Sequence, residues 1–414
     1  MALKIICVIL GAIILFGIVS AIANKVYIKN TLEYISTLGS VVSEDRIVVG
    51  QDSSEYYTIT IDRDLKIVQI TDIHIGGSWT SKKKDRQAIN SVASMIIEEK
   101  PDIVFATGDI SYPVPYVAAT FNNQYASTIF ANLMEQLGVY WIPTFGNHDS
   151  ESYSIYDREA MGDFYSRKEW KNCLFQKGDE NIDGYGNSVI KVKNSDGIIT
   201  QALFTIDSND YPEDSFLGLT GGYDNIHQNQ IDWYKATCEK LNKENQAFIQ
   251  NNFDEEKDSL LEKFGLVKSL VFLHIPPVEY AEAWNEFKEN GYKDSENVKY
   301  YYGTLGEDVC HPKIDDRFFE TVLECNSTQG IFCGHDHINT FSLEYKGVRL
   351  TYGKSIDFVA YLGISKLGTQ RGCTVITVKP DGTFDCYQES YYQDKYVSPD
   401  KEEVTMQKLN EEFN

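Results

Sequence analysis

Five of the seven histidines in this 414-residue chain lie in short motifs with aspartate or asparagine, directly after apolar segments. Imidazole and carboxylate groups are ligands of Zn, Fe and Mn, and one carboxylate has two oxygens with which to bridge two cations. The motifs are therefore candidate parts of a metal centre. In chain order they are Asp72-Ile73-His74, Gly108-Asp109, Gly146-Asn147-His148-Asp149, His274 and Gly334-His335-Asp336-His337.

Each motif alone has an ordinary explanation, and only the set points to chemistry. A D-x-H triplet is common in surface loops, a G-D pair can be a turn or a helix cap, and a lone histidine is usually structural. Together the motifs supply about four ligands for each of two cations. Two metals about 3.5–4 Å apart can clamp the attacking and leaving oxygens of an in-line displacement. Calcium prefers all-oxygen ligands, so this histidine-rich set favours two ions of Fe, Zn or Mn.

The residue types also suggest separate roles. Asp109 could bridge two metals, and Asn147 offers a neutral carbonyl oxygen to a hard cation. We expect His148 to stay free of the metals and to be oriented by Asp149. Of the last motif, we expect both imidazoles to face the site and Asp336 to point away.

The elements that must position these residues alternate between strands and helices. We predict strands over Leu65–Ile70, Ile103–Ala106 and Val139–Thr144, separated by helices over Lys82–Glu99 and Tyr125–Leu137. Two further apolar strands end at His274 and at Gly334. This alternation predicts an α/β fold with crossover connections, in which ligands collect at the carboxyl ends of strands.

The ordered series D-x-H, G-D, G-N-H-D, H and G-H-x-H resembles the calcineurin-like metallophosphoesterase family. The resemblance implies a β-sandwich of two mixed sheets flanked by helices, and a metal-bridging hydroxide as nucleophile. It also implies that His148 protonates the leaving group or stabilises charge, with support from Asp149. By the same resemblance one metal would be held by Asp72, His74, Asp109 and His337, and the second by Asp109, Asn147, His274 and His335.

Within that family, two segments are similar to enzymes related to purple acid phosphatases. They are Phe204–Ser208 and the stretch from Gly221 to Trp233. True purple acid phosphatases have glycine in place of His74 and a tyrosinate ligand at the spacing of Tyr112. We predict that His74 is the ligand and that Tyr112 packs beside the site. The G-D-x-x-D-R-G motif of protein serine/threonine phosphatases is not present after Gly108.

The N-terminus contains an apolar stretch of 19 residues, Ile5 to Ala23, close to the length that spans a bilayer. It is an uncleaved signal anchor, a signal peptide cut after Ala21-Ile22-Ala23 or, less favoured at an extreme N-terminal position, a buried helix of a soluble domain. The first two alternatives predict a membrane-anchored or secreted protein with an extracytosolic catalytic domain. We divide the chain into this segment (1–23), a stalk (24–55), one catalytic domain (56–395) and a polar tail (396–414).

The net charge of -23, from 38 basic and 61 acidic residues, argues against a nucleic-acid partner. It also means that an anionic substrate needs bound cations, because the protein field would repel it. We expect a phosphatase that hydrolyses monoesters of a phosphorylated small molecule or protein, with a membrane contact if the helix is uncleaved. The alternatives are a phosphodiesterase acting on cyclic nucleotides or sphingomyelin-like lipids, and a metal-binding scaffold without catalysis.

Overall fold

The computed structural model describes residues 2–41, 45–53, 56–212 and 222–406. The strands are β1 Val48–Gln51, β2 Tyr57–Thr60, β3 Leu65–Ile70, β4 Ile103–Thr107, β5 Tyr140–Thr144, β6 Ser188–Lys193, β7 Ile199–Thr205, β8 Lys268–Phe272, β9 Val298–Tyr302, β10 Thr328–Cys333, β11 Ser342–Tyr345, β12 Val348–Tyr352, β13 Gly372–Val378 and β14 Phe384–Ser390. The helices are α1 Ala2–Ile35, α2 Lys82–Glu99, α3 Pro115–Ala118, α4 Asn123–Leu137, α5 Arg158–Tyr165, α6 Gln228–Asn252, α7 Lys257–Phe264, α8 Glu279–Glu289 and α9 Phe318–Cys325, with a 3-10 turn at Ile364–Leu367.

Two mixed sheets form the framework. The larger sheet has the order β1-β2-β6-β7-β8-β10-β12-β11-β9, and the smaller has the order β14-β13-β3-β4-β5. In the smaller sheet β3, β4 and β5 are parallel, as the strand and helix alternation predicts, whereas β13 and β14 are antiparallel. In the larger sheet β7, β8, β10 and β12 are parallel.

The two sheets pack face to face through buried aromatic rings. Phe105 of β4 stacks on Phe272 of β8 with ring centroids 3.8 Å apart, and Phe332, the register partner of Phe272 on β10, lies with its ring centroid 5.2 Å from that of Phe272. Helices α2 and α4 cover the outer face of the smaller sheet, with α1 packed against these two helices, while α6, α8 and α9 cover the outer face of the larger sheet. The predicted fold class, a sandwich of two mixed sheets flanked by helices, is confirmed.

The N-terminal helix continues beyond the segment predicted to span a membrane. Among the described residues, α1 is the helix that is long and apolar enough to cross a bilayer. It runs without interruption through Ala23 to Ile35, and its last three turns pack against the domain. Residues 24–35, predicted as part of a stalk, are therefore a docked helix, because Tyr27, Ile28 and Leu32 lie on one face at helical spacing.

The C-terminal segment also differs from the predicted polar tail. Tyr396 is buried and donates a hydrogen bond to Glu99 at 2.6 Å. Glu402 forms an ion pair with the buried Arg371 at 2.9 Å. Residues 396–406 thus pack on the domain through partners that are remote in the chain, and 407–414 lie outside the described residues, as do Glu55 and Gly221. The domain boundaries themselves stay a prediction.

Candidate metal centre

All the predicted ligands lie at one edge of the sandwich, where the parallel strands end. Asp72 and His74 follow β3, Asp109 follows β4, and Asn147 follows β5. From the larger sheet, His274 follows β8, and the motif with His335 and His337 follows β10. Strands that are parallel and packed together present their carboxyl ends at one edge, which brings residues that are remote in the chain into contact.

The buried side chains form two groups that share one residue. The first is Asp72, His74, Asp109 and His337, and the second is Asp109, His274 and His335; within each group one ligand atom of every residue lies within 4.8 Å of the others. Asn147 joins the second group, since its Oδ1 atom lies 3.3 Å from His274 Nε2. The structure thus brings together the seven residues predicted to bind metals, with Asp109 common to both groups.

The distances between ligand atoms suit cations. Asp109 Oδ2 lies 3.2 Å from His74 Nε2 and 3.3 Å from His274 Nε2. His335 Nε2 is buried and has no hydrogen-bond partner among the described residues, which is costly for a polar atom unless something else binds it. Buried imidazole nitrogens converging on shared carboxylate oxygens therefore fit two metal ions.

Asp357 contacts the Nδ1 atoms of two candidate ligands, His74 and His337. No motif in the sequence predicts this role of Asp357. Its Oδ1 atom lies 3.3 Å from His74 Nδ1, and its Oδ2 atom lies 3.3 Å from His337 Nδ1. Its carboxylate also accepts backbone hydrogen bonds from Val359 and Ala360, each at 2.7 Å. Metal-binding histidines usually donate their second nitrogen to such a group, which fixes ring orientation and tautomer. Asp357 lies five residues after the predicted strand Val348–Tyr352 but in no motif that the sequence analysis identified, and the bridge between Ser355 and Thr71 is what brings this segment to the site.

The backbone at the site adopts conformations that L-residues rarely take. Four candidate ligands have positive φ: Asp72 at 49°, His74 at 51°, Asp109 at 51° and His335 at 78°. Each costs of the order of 1–3 kcal/mol unless its surroundings enforce it, and such residues cluster at functional sites. Gly334 is required by close approach, because a Cβ there would collide with Thr71 Oγ1 and lie 2.8 Å from Asp72 Oδ2.

His148 lies beside the two groups, but its partner is not the one predicted. Its Nδ1 atom is 2.7 Å from Glu151 Oε1, and its backbone N–H donates to Asp109 Oδ1 at 2.8 Å. The expectation that Asp149 orients His148 is wrong. Asp149 is buried and accepts hydrogen bonds from the backbone N–H groups of Ser111 and Gly146, each at 2.9 Å, so it positions two site loops instead. The spacing of three residues between His148 and Glu151 would have identified Glu151 from the sequence as a candidate partner of His148.

Burial and neighbouring charges oppose each other at the site. Burial lowers the pKa of His74 and His274, but Asp357 and Asp109 outweigh it and raise the two values to about 10 and about 9. Burial would raise the pKa of Asp109, yet the histidines around it, led by His274, hold that value well below the ordinary range. Burial and then His274 depress the pKa of His335. Without metals, protonated imidazoles thus neutralise the charge of the carboxylates. Metal ions that bind there must displace these protons from the imidazoles.

Aromatic rings and one arginine complete the surroundings. Tyr112 stacks on His74 with ring centroids 4.7 Å apart, in a packing position, and Tyr223 meets His335 edge-on at 4.3 Å. Arg158 donates to Asp207 at 2.6 Å and to the carbonyl oxygen of Gly146 at 2.9 Å. Arg158 therefore fastens the loop that carries Asn147 and His148.

Comparison with known proteins agrees with this geometry. Residues 65–339 match the family described as calcineurin-like phosphoesterase. The chain belongs to that family. Two plant relatives from Arabidopsis thaliana, named probable inactive purple acid phosphatases 14 and 29, are each 27% identical to it, over 78% and 77% of this chain and 77% and 78% of their own lengths. The yeast phosphatase DCR2 from Saccharomyces cerevisiae is 26% identical over 69% of this chain and 46% of its own length.

Solved structures with similar chains are also known. A dimetal phosphatase from Danio rerio matches 80% of this chain and 100% of its own, at 12% identity and a TM-score of 0.46. A purple acid phosphatase from yellow lupin matches 85% of this chain and 59% of its own, at 12% identity and a TM-score of 0.36. The predicted family is confirmed, and this member has a buried Asp/His cluster of the kind that forms a dinuclear metal site.

Proposed function

We propose that this protein is a phosphatase that hydrolyses phosphate monoesters with two metal ions of Fe, Zn or Mn. One observation carries the proposal: Asp109 belongs to two buried ligand groups at once, so two cations held there would lie side by side. Asp72, His74 and His337 would hold one with Asp109, and Asn147, His274 and His335 would hold the other.

The residues around the metals divide the remaining tasks. Two cations held there would neutralise phosphoryl charge and would make water a better nucleophile at neutral pH. Glu151 Oε1 lies within hydrogen-bond distance of His148 Nδ1, at 2.7 Å. The other ring nitrogen of His148, Nε2, is therefore the one that can pass a proton to the leaving oxygen. Asp149 keeps the loops after β4 and β5 in register, and Asp357 orients His74 and His337. The Arg158 guanidinium is engaged by Asp207, Asp210 and Gly146, so cations rather than Arg158 must receive the substrate phosphate.

The substrate class follows from charge. At a net charge of -23, the protein field repels phosphate and nucleic acid alike, except where bound cations reverse it locally. We therefore propose a phosphorylated small molecule or protein with one accessible phosphoryl group as substrate, and no nucleic acid. A phosphodiesterase would use the same metal ligands, and a panel of soluble monoesters and diesters separates the two.

A binding protein without catalysis is the second candidate, because the two plant relatives are named probable inactive. The intact ligand set, the buried unpartnered nitrogen of His335 and the His148–Glu151 pair favour catalysis in this chain. Turnover by the purified protein decides between the two proposals.

The test combines metal analysis with turnover of p-nitrophenyl phosphate. We expect about two metal ions per chain, and we expect His148→Ala to lower kcat by about 10²–10⁴ while metal content stays the same. His227→Ala is the matched control, because His227 also pairs with a carboxylate, Asp183, at 2.7 Å but lies outside the metal groups. Full metal occupancy without turnover of any ester would leave only the scaffold function.

The compartment is part of the proposal. An N-terminal apolar helix directs a chain into the secretory route, and we propose that the catalytic domain faces the extracytosolic side. Protease protection in sealed vesicles tests this placement: a domain digested in intact cytosol-side-out vesicles would overturn it.

A further inference from the structure

The N-terminal helix docks on the domain in one direction. Three of its hydrogen bonds follow the order of the residues that lead into and form α2: Trp79 Nε1 donates to Ser20 Oγ at 3.1 Å, Tyr27 Oη donates to Asp85 Oδ2 at 2.7 Å, and Tyr34 Oη donates to Asn90 Oδ1 at 2.5 Å. Just beyond the end of α1, Val41 N donates to the carbonyl oxygen of Leu137, the last residue of α4, at 2.8 Å. Helix α1 therefore runs parallel to α2 and α4.

Both of those helices begin at the edge that carries the metal centre. The loop with Asp72 and His74 leads into α2, and the first residue of α4, Asn123, donates to the carbonyl oxygen of Asp149 at 2.8 Å. Because α1 is parallel to them, its undocked N-terminal part projects beyond this same edge. Residues 4–22 have a length of about 28 Å as a helix, close to the thickness of a bilayer core.

The projecting part of α1 has nothing to cover it within the described structure. Only 6% of its apolar window is buried, and side chains such as Val8 and Ile14 are more than 60% exposed. Docking begins at Ser20, which is buried, so no spacer separates the apolar segment from the domain. A membrane around residues 4–22 would therefore lie directly against the metal-site edge.

Loops at that edge expose large apolar side chains. Tyr116, Phe121 and Ile155 are 87%, 51% and 61% exposed, and Trp79, beside the start of the docked helix, is 40% exposed. The loops touch each other: Thr80 Oγ1 donates to Val117 O at 3.0 Å, and Ile155 N donates to Phe121 O at 2.8 Å. Aromatic side chains of this kind are typical of protein surfaces that sit at a membrane interface. We call Trp79, Tyr116, Phe121 and Ile155 the apolar rim.

The apolar rim adjoins the candidate metal centre. Trp79 follows His74 by five residues, so the two lie at most about 17 Å apart. Tyr112, four residues before Tyr116, stacks on His74 at 4.7 Å, and Ser154, next to Ile155, donates its N–H to the carbonyl oxygen of Glu151 at 2.7 Å. A surface that contacts the rim is thus within reach of His74 and of the His148–Glu151 pair.

Charge at this edge complements a phosphorylated lipid. Although the chain is strongly acidic, Lys25 on α1 and Lys82 and Lys83 at the start of α2 are exposed beside the projecting helix. Basic side chains next to a membrane span attract the phosphoryl group of a lipid monoester. They offset the repulsion that the rest of the acidic domain would feel at a bilayer that contains such a lipid.

We propose that α1 is an uncleaved anchor, that the metal-site edge faces the anchoring bilayer, and that the substrate is a phosphate monoester borne by a lipid of that bilayer. The substrate part rests on the proposed phosphatase function. In the reaction water attacks phosphorus, the bond between phosphorus and the lipid oxygen breaks, and the products are inorganic phosphate and the lipid alcohol. One proton from the water ends on the alcohol oxygen, passed by His148, and no other reactant is needed.

The anchor is tested on the full-length protein purified from membranes. Its mass and N-terminal sequence should retain residues before Asn24. A mature protein that begins at Asn24 would overturn the anchor and, with it, the orientation.

The orientation and the substrate are tested by reconstituting the full chain in vesicles. Phosphatidic acid in the same vesicles should be hydrolysed at least tenfold faster than phosphatidic acid in separate vesicles, because the anchored site meets only its own bilayer. Hydrogen exchange of residues 111–122 and 150–156 should slow on reconstitution, whereas exchange of the exposed turn at residues 254–258 should not change. Equal rates in the two vesicle arrangements would overturn the substrate, and unchanged exchange at the metal-site edge would overturn the orientation.

Variants separate this inference from the proposed function. The triple change Tyr116→Ser, Phe121→Ser and Ile155→Ser should lower turnover of vesicle phosphatidic acid at least tenfold relative to turnover of p-nitrophenyl phosphate. Leu266→Ser is the matched control: Leu266 is 40% exposed and precedes β8 at the opposite edge, so the ratio should not change. Turnover of the soluble ester with none of the lipid ester would overturn the inference alone. Turnover of neither would overturn the phosphatase as well.

Discussion

The two edges of the sandwich contain clusters of buried charge that differ in how well they are satisfied. At the amino ends of the strands, Glu99 accepts from Lys66 and Lys395 at 2.8 Å each and from Tyr396 at 2.6 Å. At the carboxyl ends, His335 Nε2 has no partner within the part of the chain that the structure describes, and four candidate ligands adopt positive φ. A buried cluster in which every charged group has a hydrogen-bond partner stabilises the fold. A cluster with strained backbone and an unpartnered polar atom is instead the kind that binds a ligand.

The largest expected effect concerns the residue common to both metal groups. Asp109→Asn should remove at least one metal ion and lower kcat by about 10³-fold or more, because both cations lose a charged ligand. Metal analysis and turnover of a soluble monoester measure it. The matched control is Asp232→Asn on the exposed side of α6, which should leave both unchanged. Normal metal content in Asp109→Asn would contradict the shared centre.

At the opposite edge, Glu99→Gln should destabilise the protein by about 2–3 kcal/mol at pH 7 without changing metal content. Burial would raise the pKa of Glu99, but Lys395, Lys66 and Tyr396 outweigh it and lower the value to about 2. The stabilisation is therefore complete above the unfolded pKa near 4.5 and disappears as the pH falls from there toward 2.

Chemical unfolding at pH 7 and at pH 3 measures this effect. The difference between wild type and Glu99→Gln should shrink at the lower pH. Glu324→Gln, which removes an exposed ion pair with Lys235, is the control and should leave stability unchanged at both pH values, because solvent screens that pair. A difference that grew on acidification would contradict the assigned role of Glu99.

Asp357→Asn tests whether the two metal positions are braced differently. Asp357 contacts His74 and His337 of the first group, whereas His274 of the second donates to the backbone oxygen of Thr107 at 2.8 Å. We expect metal affinity at the first position to fall about 10–100-fold, with the second less affected. Competition with a chelator, followed by metal analysis, should show one weakened ion per chain. Equal weakening of both ions would show that Asp357 braces the whole centre.

The smallest effect should come from His335→Asn. Asparagine tolerates the positive φ of this position better than histidine does, and it lacks the unpartnered Nε2 atom. The metal-free His335→Asn variant should be as stable as metal-free wild type or more stable by up to about 1 kcal/mol, although it binds the second metal less well. Chemical unfolding in the presence of a chelator measures the difference. A marked loss of stability in the metal-free state would show that His335 is structural, like Glu99.

The sequence predicted the sheets and the ligands better than it predicted their supports. Short apolar strands followed by polar motifs identify the carboxyl ends of β3, β4, β5, β8 and β10, and local spacing alone places Asp72 beside His74. Asp357 has no such signal, because its role depends on a bridge between Ser355 and Thr71 that sequence does not show. The prediction that Asp149 orients His148 rests on adjacency, yet the backbone turns at residues 147–150, and Glu151, three residues on, makes the contact instead.

Residue types and spacing by themselves determined the family, the α/β alternation, the candidate ligands and the apolar character of residues 5–23. Tertiary structure alone decided that Asp109 joins two groups, that Asp357 and Glu151 orient the histidines, and that α1 runs parallel to α2. The physical reason is the range of the interactions. Periodicity and ligand chemistry are local properties of the chain, whereas the direction of a docked helix and the partner of a buried imidazole depend on which distant surfaces pack together.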